Sequence, residues 1–344
     1  MKKYIRITLA WLSMVMIVDA EYITLGGRRV WGGYADAKAT ILAVDADGLP
    51  VQGANVKARL FNSKYKDQYQ RFVGETGSNG CFVVEGKAIS ELEWEIEKPG
   101  CYKSHGEYDF GEVGRAQKEE VVGGKWQPWN PTLTTVVKQI RSPIPMYAKR
   151  ISARVPCINV PVGYDLEKGD WVAPFGQGQC SDFTVQVNGQ CDENNYRHVQ
   201  GQICFTNLGE GFSTHRISVD KVGHKIGSSF RWPYQAPTIG YTNVYEYEMK
   251  FTPDMAGRIS PDDSESKNYI LRTRVEFDEV SGGIKKASYS KIAGPITFDF
   301  TRDGKIEMYF TYYFNPTSND RNLEFDPKKN LFENLGEFEQ VYEP

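Results

Sequence analysis

The residues of this 344-residue chain that could do chemistry are four histidines, six cysteines and an abundance of acids. Gly211-Phe-Ser-Thr-His215 comes nearest to a nucleophilic serine. It lacks the second glycine of a nucleophile elbow and the strand–turn–helix setting that exposes the hydroxyl. Ser213 and His215 also stand two apart, on one face of a strand, so they do not make a triad. His105, His198, His215 and His224 form no His-x-His or His-x3-His pair, so zinc has no ligand spacing here. Gly176-Gln-Gly178 runs into Gln179-Cys180 with no lysine and no helix start, so a phosphate-cradling loop is absent. Glycoside hydrolysis needs two carboxyl groups about 5–10 Å apart across a cleft. Asp165, Asp170, Glu246 and Glu248 are candidates, although a chain with 44 acids always offers some.

Two further classes rest on loops. Calcium takes six to eight oxygens, and Asp262-Asp-Ser-Glu-Ser266 and the set Asn319, Asp320, Glu324 and Asp326 gather hard oxygens in short stretches. Neither has the spacing of an EF-hand, so no cofactor is expected and calcium is the one metal left open. Aromatic rings in Gly/Pro-rich stretches can stack on sugars or fill a partner's pocket. Trp171, Trp232 and Tyr234 are the binding candidates, with Tyr241 beside them. Pro174 and Pro233 restrict the backbone near these rings.

Positioning such groups falls to strands. The composition, with 20 Tyr, 18 Phe, 33 Gly and 17 Pro, favours strands and turns. Val56, Ala58 and Leu60 alternate with Lys57 and Arg59; Leu92, Trp94 and Ile96 alternate with Glu91, Glu93, Glu95 and Glu97. That is the pattern of a sheet with one wet face. Phe183 to Val187, Tyr245 to Phe251, Leu271 to Phe277 and Ile306 to Phe314 alternate in the same way, and Asp303-Gly304 is a hairpin turn. No helical periodicity competes. The expected fold is all-β: a small immunoglobulin-like or transthyretin-like sandwich at 39–112, a connection at 113–132 carrying Pro128 and Pro131, and a larger sandwich or jelly-roll-like unit at 133–344.

Ahead of these, Lys2, Lys3 and Arg6 precede an apolar run from Ile7 to Val18 and a small residue at Ala20. This is the layout of a signal peptide at 1–20, followed by a segment at 21–38. The run is shorter than the about 20 residues a span requires, so no membrane span is expected after cleavage. Cleavage removes three positive charges and one negative one, taking the formal charge from −3 to −5. A mildly acidic chain with mixed charge is no nucleic-acid binder. In an exported chain, Cys81, Cys101, Cys157, Cys180, Cys191 and Cys204 read as disulfides. Cys81 with Cys101 and three alternative pairings of the other four are the expected arrangements.

Val44-Asp-Ala-Asp-Gly-Leu-Pro-Val-Gln-Gly-Ala-Asn-Val56, Thr76-Gly-Ser-Asn-Gly-Cys-Phe82 and Pro99-Gly-Cys-Tyr102 resemble the carboxypeptidase regulatory-like and Cna B-type β-sandwich domains. The resemblance covers about 65 residues. It implies a spacer or binding platform and no peptidase activity. Ile144–Lys149, Val162–Leu166, Gly169–Pro174 and Asn319–Pro327 are similar to exported bacterial proteins of unknown function. The reading that emerges is a secreted or periplasmic bacterial protein that binds a glycan or an envelope protein surface, with a secreted glycan hydrolase as the alternative.

Overall fold

The computed structural model describes the backbone of residues 22–25 and 28–31, and residues 35–62, 68–110, 121–192, 196–219, 226–252 and 266–344 in full. The signal-peptide stretch 1–20 and the acidic residues Asp262–Glu265 lie outside them. The described chain is all-β apart from one 3-10 turn at Glu337–Glu339, and it divides into two compact units, 1–99 with 103–137 and 100–102 with 138–344. No helix among the described residues is long and apolar enough to cross a membrane.

The first unit begins with a hairpin of β1 (Tyr22–Leu25) and β2 (Arg28–Trp31). β3 (Ala35–Val44), β4 (Asn55–Phe61), β5 (Tyr69–Glu75), β6 (Cys81–Ala88), β7 (Glu91–Glu97), β8 (Ser104–Asp109), β9 (Val121–Val122), β10 (Lys125–Trp126) and β11 (Thr132–Val136) follow. β3 pairs antiparallel with β6 on one edge and parallel with β10 and then β11 on the other. The second sheet of this unit runs β8-β7-β4-β5. The alternation read from sequence at Leu92, Trp94 and Ile96 is the burial pattern of β7. Its outward glutamates meet Lys57, Arg59 and Lys103, with Lys103 Nζ 2.6 Å from Glu95. The stretch read as a connection, 113–132, thus supplies β9, β10 and the start of β11 to the first unit; two-residue strands leave no periodicity to read.

The resembled motif has a physical basis here. Asp45 Oδ1 accepts the amides of Asp47 and Leu49, and Gly48 takes a positive φ of 83° that closes the turn. Thr76, buried, donates to the Val51 carbonyl at 2.6 Å and accepts the Ala54 amide at 3.0 Å. Its hydroxyl thus adds to the backbone bonds Gly53 N–H to Thr76 O and Thr76 N–H to Ala54 O that continue the β4–β5 ladder.

The second unit comprises β12 (Ile144–Arg154), β13 (Val162–Asp165), β14 (Asp170–Trp171), β15 (Phe183–Cys191), β16 (Arg197–Cys204), β17 (Gly211–Arg216), β18 (Gly227–Ser228), β19 (Val244–Phe251), β20 (Lys267–Phe277), β21 (Ile284–Phe300), β22 (Ile306–Asn315) and β23 (Phe325–Asn330). One sheet runs β17-β20-β21-β22-β12-β23 and the other β14-β13-β15-β16-β19. Their inner faces share one core, with Val185, Val199 and Tyr247 from the second sheet and Leu271, Ile292, Phe298, Phe310 and Phe314 from the first. This is the larger β sandwich expected from the strand patterns. Gly201 marks the closest approach: a Cβ there would stand 2.6 Å from the Phe298 ring. Gly201→Ala is therefore expected to cost about 1–3 kcal/mol through overpacking, read as a lower urea midpoint.

Candidate functional site

Two of the aromatic candidates, Trp171 and Trp232, are core residues. Trp171 is 5 % exposed and packs edge-on against Tyr164, with ring centroids 5.1 Å apart. Trp232 is 4 % exposed and lies among Phe230, Ala236 and Leu323. Tyr234 is half-buried, donates its hydroxyl to the Gln139 carbonyl at 2.6 Å and carries the Arg141 guanidinium 3.8 Å above its ring. Tyr241 donates to the Pro237 carbonyl and is covered by Arg272. Trp171 and Trp232 thus offer no exposed ring as a platform, because burying large rings removes apolar area from water, whereas Tyr234 keeps part of its surface exposed.

Two of the four candidate acids are spent on structure. Asp165 accepts the amides of Glu167 and Lys168 on one oxygen and those of Gln179 and Cys180 on the other, and Arg274 adds a contact at 3.2 Å. Burial pushes its pKa up, but the amides of Gln179, Cys180 and Lys168 together with Arg274 outweigh it and hold the carboxyl below the usual range. Asp170 accepts the amides of Trp171 and Gln177, both at 2.8 Å. His215 donates Nε2 to the Arg231 carbonyl at 3.0 Å and lies against the Trp232 ring, and burial lowers its pKa.

The calcium candidates have protein donors of their own. Glu324 accepts Tyr102 Oη at 2.8 Å and the amides of Arg141 and Ser142. Asp320 caps the Asn322 amide, and Asp326 caps that of Lys328. Among the described residues no group of three or more His, Cys, Asp or Glu side chains could hold a metal ion.

All six cysteines are free thiols in the structure, so the expected pairings are not shown. Cys81 opens β6 of the first unit while Cys101 belongs to the second. Cys204 stands opposite Thr184 and Val244, and Cys191 opposite Arg197, so their nearest cross-strand positions hold no cysteine.

Glu246 and Glu248 are different. Both are exposed on the outer face of β19, where the register sets Gln186 beside Gln202 beside Glu246, and Asn188 beside Gln200 beside Glu248. Val185, Val187, Ile203, Tyr247 and Met249 point the other way into the core, which obliges these polar residues to face out. The two transverse rows stand about 7 Å apart along the strands and cross them at about 4.8 Å per strand. Together they enclose an open trough of about 550 Å³. At its end His198 Nε2 lies 2.7 Å from Glu248 Oε1, and Gln200 Nε2 donates to the same oxygen at 3.3 Å. Those two hydrogen bonds pull the Glu248 pKa down. The Asn188 amide meets no protein partner among the described residues. This arrangement of carboxylates and amides gives the hydrolase alternative no support. Sequence reading singled out the two glutamates and missed the amide ladder, which was visible as Gln186, Asn188, Gln200 and Gln202 at every second position of two strands.

No protein-family model matches the chain, and no curated protein matches it. Three crystal structures of variants of the shaft pilin spaA from Lactobacillus rhamnosus GG align with TM-scores of 0.22, 0.20 and 0.19 at 10 % identity. They cover 83, 85 and 84 % of this chain and 94 % of each pilin chain. Scores this low carry no correspondence of residues or sites.

Proposed function

We propose that the protein is an exported, non-catalytic binding protein of the bacterial envelope or exterior, whose second unit holds a neutral glycan in the trough on β15, β16 and β19. The first unit, on this reading, is a carboxypeptidase regulatory-like sandwich that serves as a spacer or second platform. Export rests on the signal-peptide layout of residues 1–20. The observation that supports glycan binding is the double row of Gln186, Gln202 and Glu246 with Asn188, Gln200 and Glu248 around one concavity. Each amide offers both a donor and an acceptor, and each carboxylate accepts from neighbouring hydroxyls, which is the complement of a polyol. Glu246 and Glu248 disfavour an anionic polymer by like charge. An extended chain lying across the strands meets three side chains per row.

Affinity electrophoresis of the full chain through gels containing soluble neutral polysaccharides tests this. Retardation by at least one of them is expected. The double variant Gln200→Ala, Gln202→Ala is expected to weaken it about tenfold or more, from two lost hydrogen bonds of about 0.5–1.5 kcal/mol each. Wild-type protein that migrates freely through the whole panel, while capturing an envelope protein through the same residues, replaces the glycan with a protein partner.

A further inference from the structure

We propose that the first unit carries a separate site for one acidic sugar ring, formed by Trp129, Lys125, Gln70 and Asn62. The site shares no residue with the trough, so it stands or falls independently of the reading above.

A concavity of about 520 Å³ opens where β3, β5, β6 and β10 meet, lined by Asp36, Asn62, Gln70, Lys87, Lys125 and Trp129 among others. That volume lies within the range of about 300–1,000 Å³ typical of small-ligand sites. The sheet register accounts for the convergence. Lys125 of β10 pairs with Asp36 of β3, which in turn pairs with Lys87 of β6, so three charged residues cross the sheet in one row. Trp129 follows β10 by three residues and brings the only aromatic ring in the lining.

The charges in and beside the concavity do not cancel. Lys87 lies 3.3 Å from Asp36, and Lys38 lies 2.7 Å from Glu85. These two pairs neutralise each other's members. Lys125 has no carboxylate partner among the described residues, and its ammonium sits 4.7 Å from the centroid of the Trp129 ring. One positive charge is therefore left over, held against an indole. The amides are set in place by the backbone beside them. Asn62, buried, donates Nδ2 to the Lys87 carbonyl at 2.8 Å. Gln70 accepts the Lys87 amide on Oε1 at 3.4 Å and keeps its Nε2 without an acceptor among the described residues.

A ligand that complements this set has a ring with an apolar C–H face for the indole, hydroxyls for the amides, and a single anionic group for Lys125. A hexuronic acid has all three. A neutral hexose leaves the ammonium unanswered. A nucleotide supplies a flat base and two phosphate charges, and the latter meet Asp36 and Glu85 as well as Lys125.

Saturation-transfer NMR on the full-length protein, titrated with glucuronic acid, galacturonic acid, glucose and adenosine monophosphate, tests the site. The expected result is saturable binding of at least one uronic acid, about tenfold or more tighter than glucose, with the preference fading as salt rises. Trp129→Ala is expected to weaken uronic acid binding about tenfold or more. Lys125→Gln, at an exposed position that leaves the fold intact, is expected to make uronic acid and glucose bind alike. The trough variant Gln200→Ala, Gln202→Ala is expected to leave all of this unchanged. The proposal is overturned by the absence of saturable uronic acid binding to the wild type. It is equally overturned by uronic acid binding that keeps its preference over glucose in Lys125→Gln, or by tighter binding of the nucleotide.

Discussion

Arg274→Met lowers the unfolding free energy of the protein by about 3–5 kcal/mol, the usual cost of breaking a buried ion pair from one side. Arg274 donates Nε and Nη2 to the two oxygens of Asp182 at 2.8 and 3.0 Å, Nη2 to Asp165 at 3.2 Å and Nη1 to Glu167 at 2.5 Å. Its guanidinium also covers the Phe314 ring at 4.6 Å. Asp165 and Asp182 are almost wholly buried, so without Arg274 two carboxylates remain in the interior with no counter-charge. Burial works against the Arg274 charge, but its bonds to Asp182 and Glu167 prevail and raise its pKa further. For Asp182 burial prevails over Arg274 and raises the pKa. Both pKa values rise, which favours the charged form of Arg274 and disfavours that of Asp182. The sign of the pH effect follows from Asp182. A carboxyl whose folded pKa is raised costs stability when ionised and is relieved as pH falls through that pKa. Without Arg274 the rise is larger, so the deficit of Arg274→Met shrinks as pH is lowered. Urea unfolding at pH 7 and at pH 5 measures both. An unchanged midpoint at pH 7, with an unchanged slope, refutes the claim.

The same residue shows where sequence reading stops. Alternation along Leu271 to Phe277 puts Arg272, Arg274 and Glu276 on one outward face. In the structure the ladder of β20 with β21 shifts register between Thr273 and Glu276, and Arg274 adopts a φ of 54°. Such a bulge re-aims one side chain, and the left-handed conformation is rare enough in a non-glycine residue that no pattern announces it. Regular strands, by contrast, were legible because burial on one face imposes a period of two: β7, β15, β19 and β22 follow from their residues alone. The trough was half legible. Glu246 and Glu248 stood out by charge, but their neighbours Gln202 and Gln200 lie more than 40 positions away, and only register brings them together. Trp129 escaped altogether, because Trp126-Gln-Pro-Trp-Asn-Pro131 has the composition of a connection. Trp171 and Trp232 were misplaced for the converse reason: nearby prolines suggest display in a loop, whereas the rings turn inward to close the core.

Each buried lysine is expected to add about 1.4 kcal/mol of stability per pH unit between its folded and unfolded pKa values, and Lys291→Met removes the contribution of Lys291. Lys291 sits in the middle of β21 with no exposure at all. Its ammonium donates to the Leu323 carbonyl at 2.7 Å and is surrounded by the rings of Tyr313, Phe230 and Trp232 at 4.4, 5.2 and 5.3 Å. The charged groups that act on it are Glu324 and Glu343, which favour its charge, and Lys138, which opposes it. Glu324 is already engaged by Tyr102, Arg141 and Ser142, and no salt bridge joins it to Lys291. Burial therefore dominates and carries the Lys291 pKa well below its ordinary value. An unfolded lysine titrates near 10.4. Between the folded and unfolded values the unfolded chain binds the proton and the folded one does not, so lowering the pH favours unfolding and raising it favours the fold. Lys138, which donates to the Trp232 carbonyl at 2.7 Å, behaves alike over a narrower range, because burial and then Arg141 push its pKa down to about 8. Below about pH 8 Lys138 is protonated in both states, so the difference in slope between wild type and variant there belongs to Lys291. Methionine keeps the length of the side chain and removes the titration. Urea unfolding of both proteins at pH 7, 8 and 9 is expected to show the wild type gaining stability relative to the variant as pH rises, with the gain between pH 7 and 8 due to Lys291. A variant that keeps the wild-type slope there shows that the ammonium stays charged inside its aromatic cage and that the cage outweighs burial.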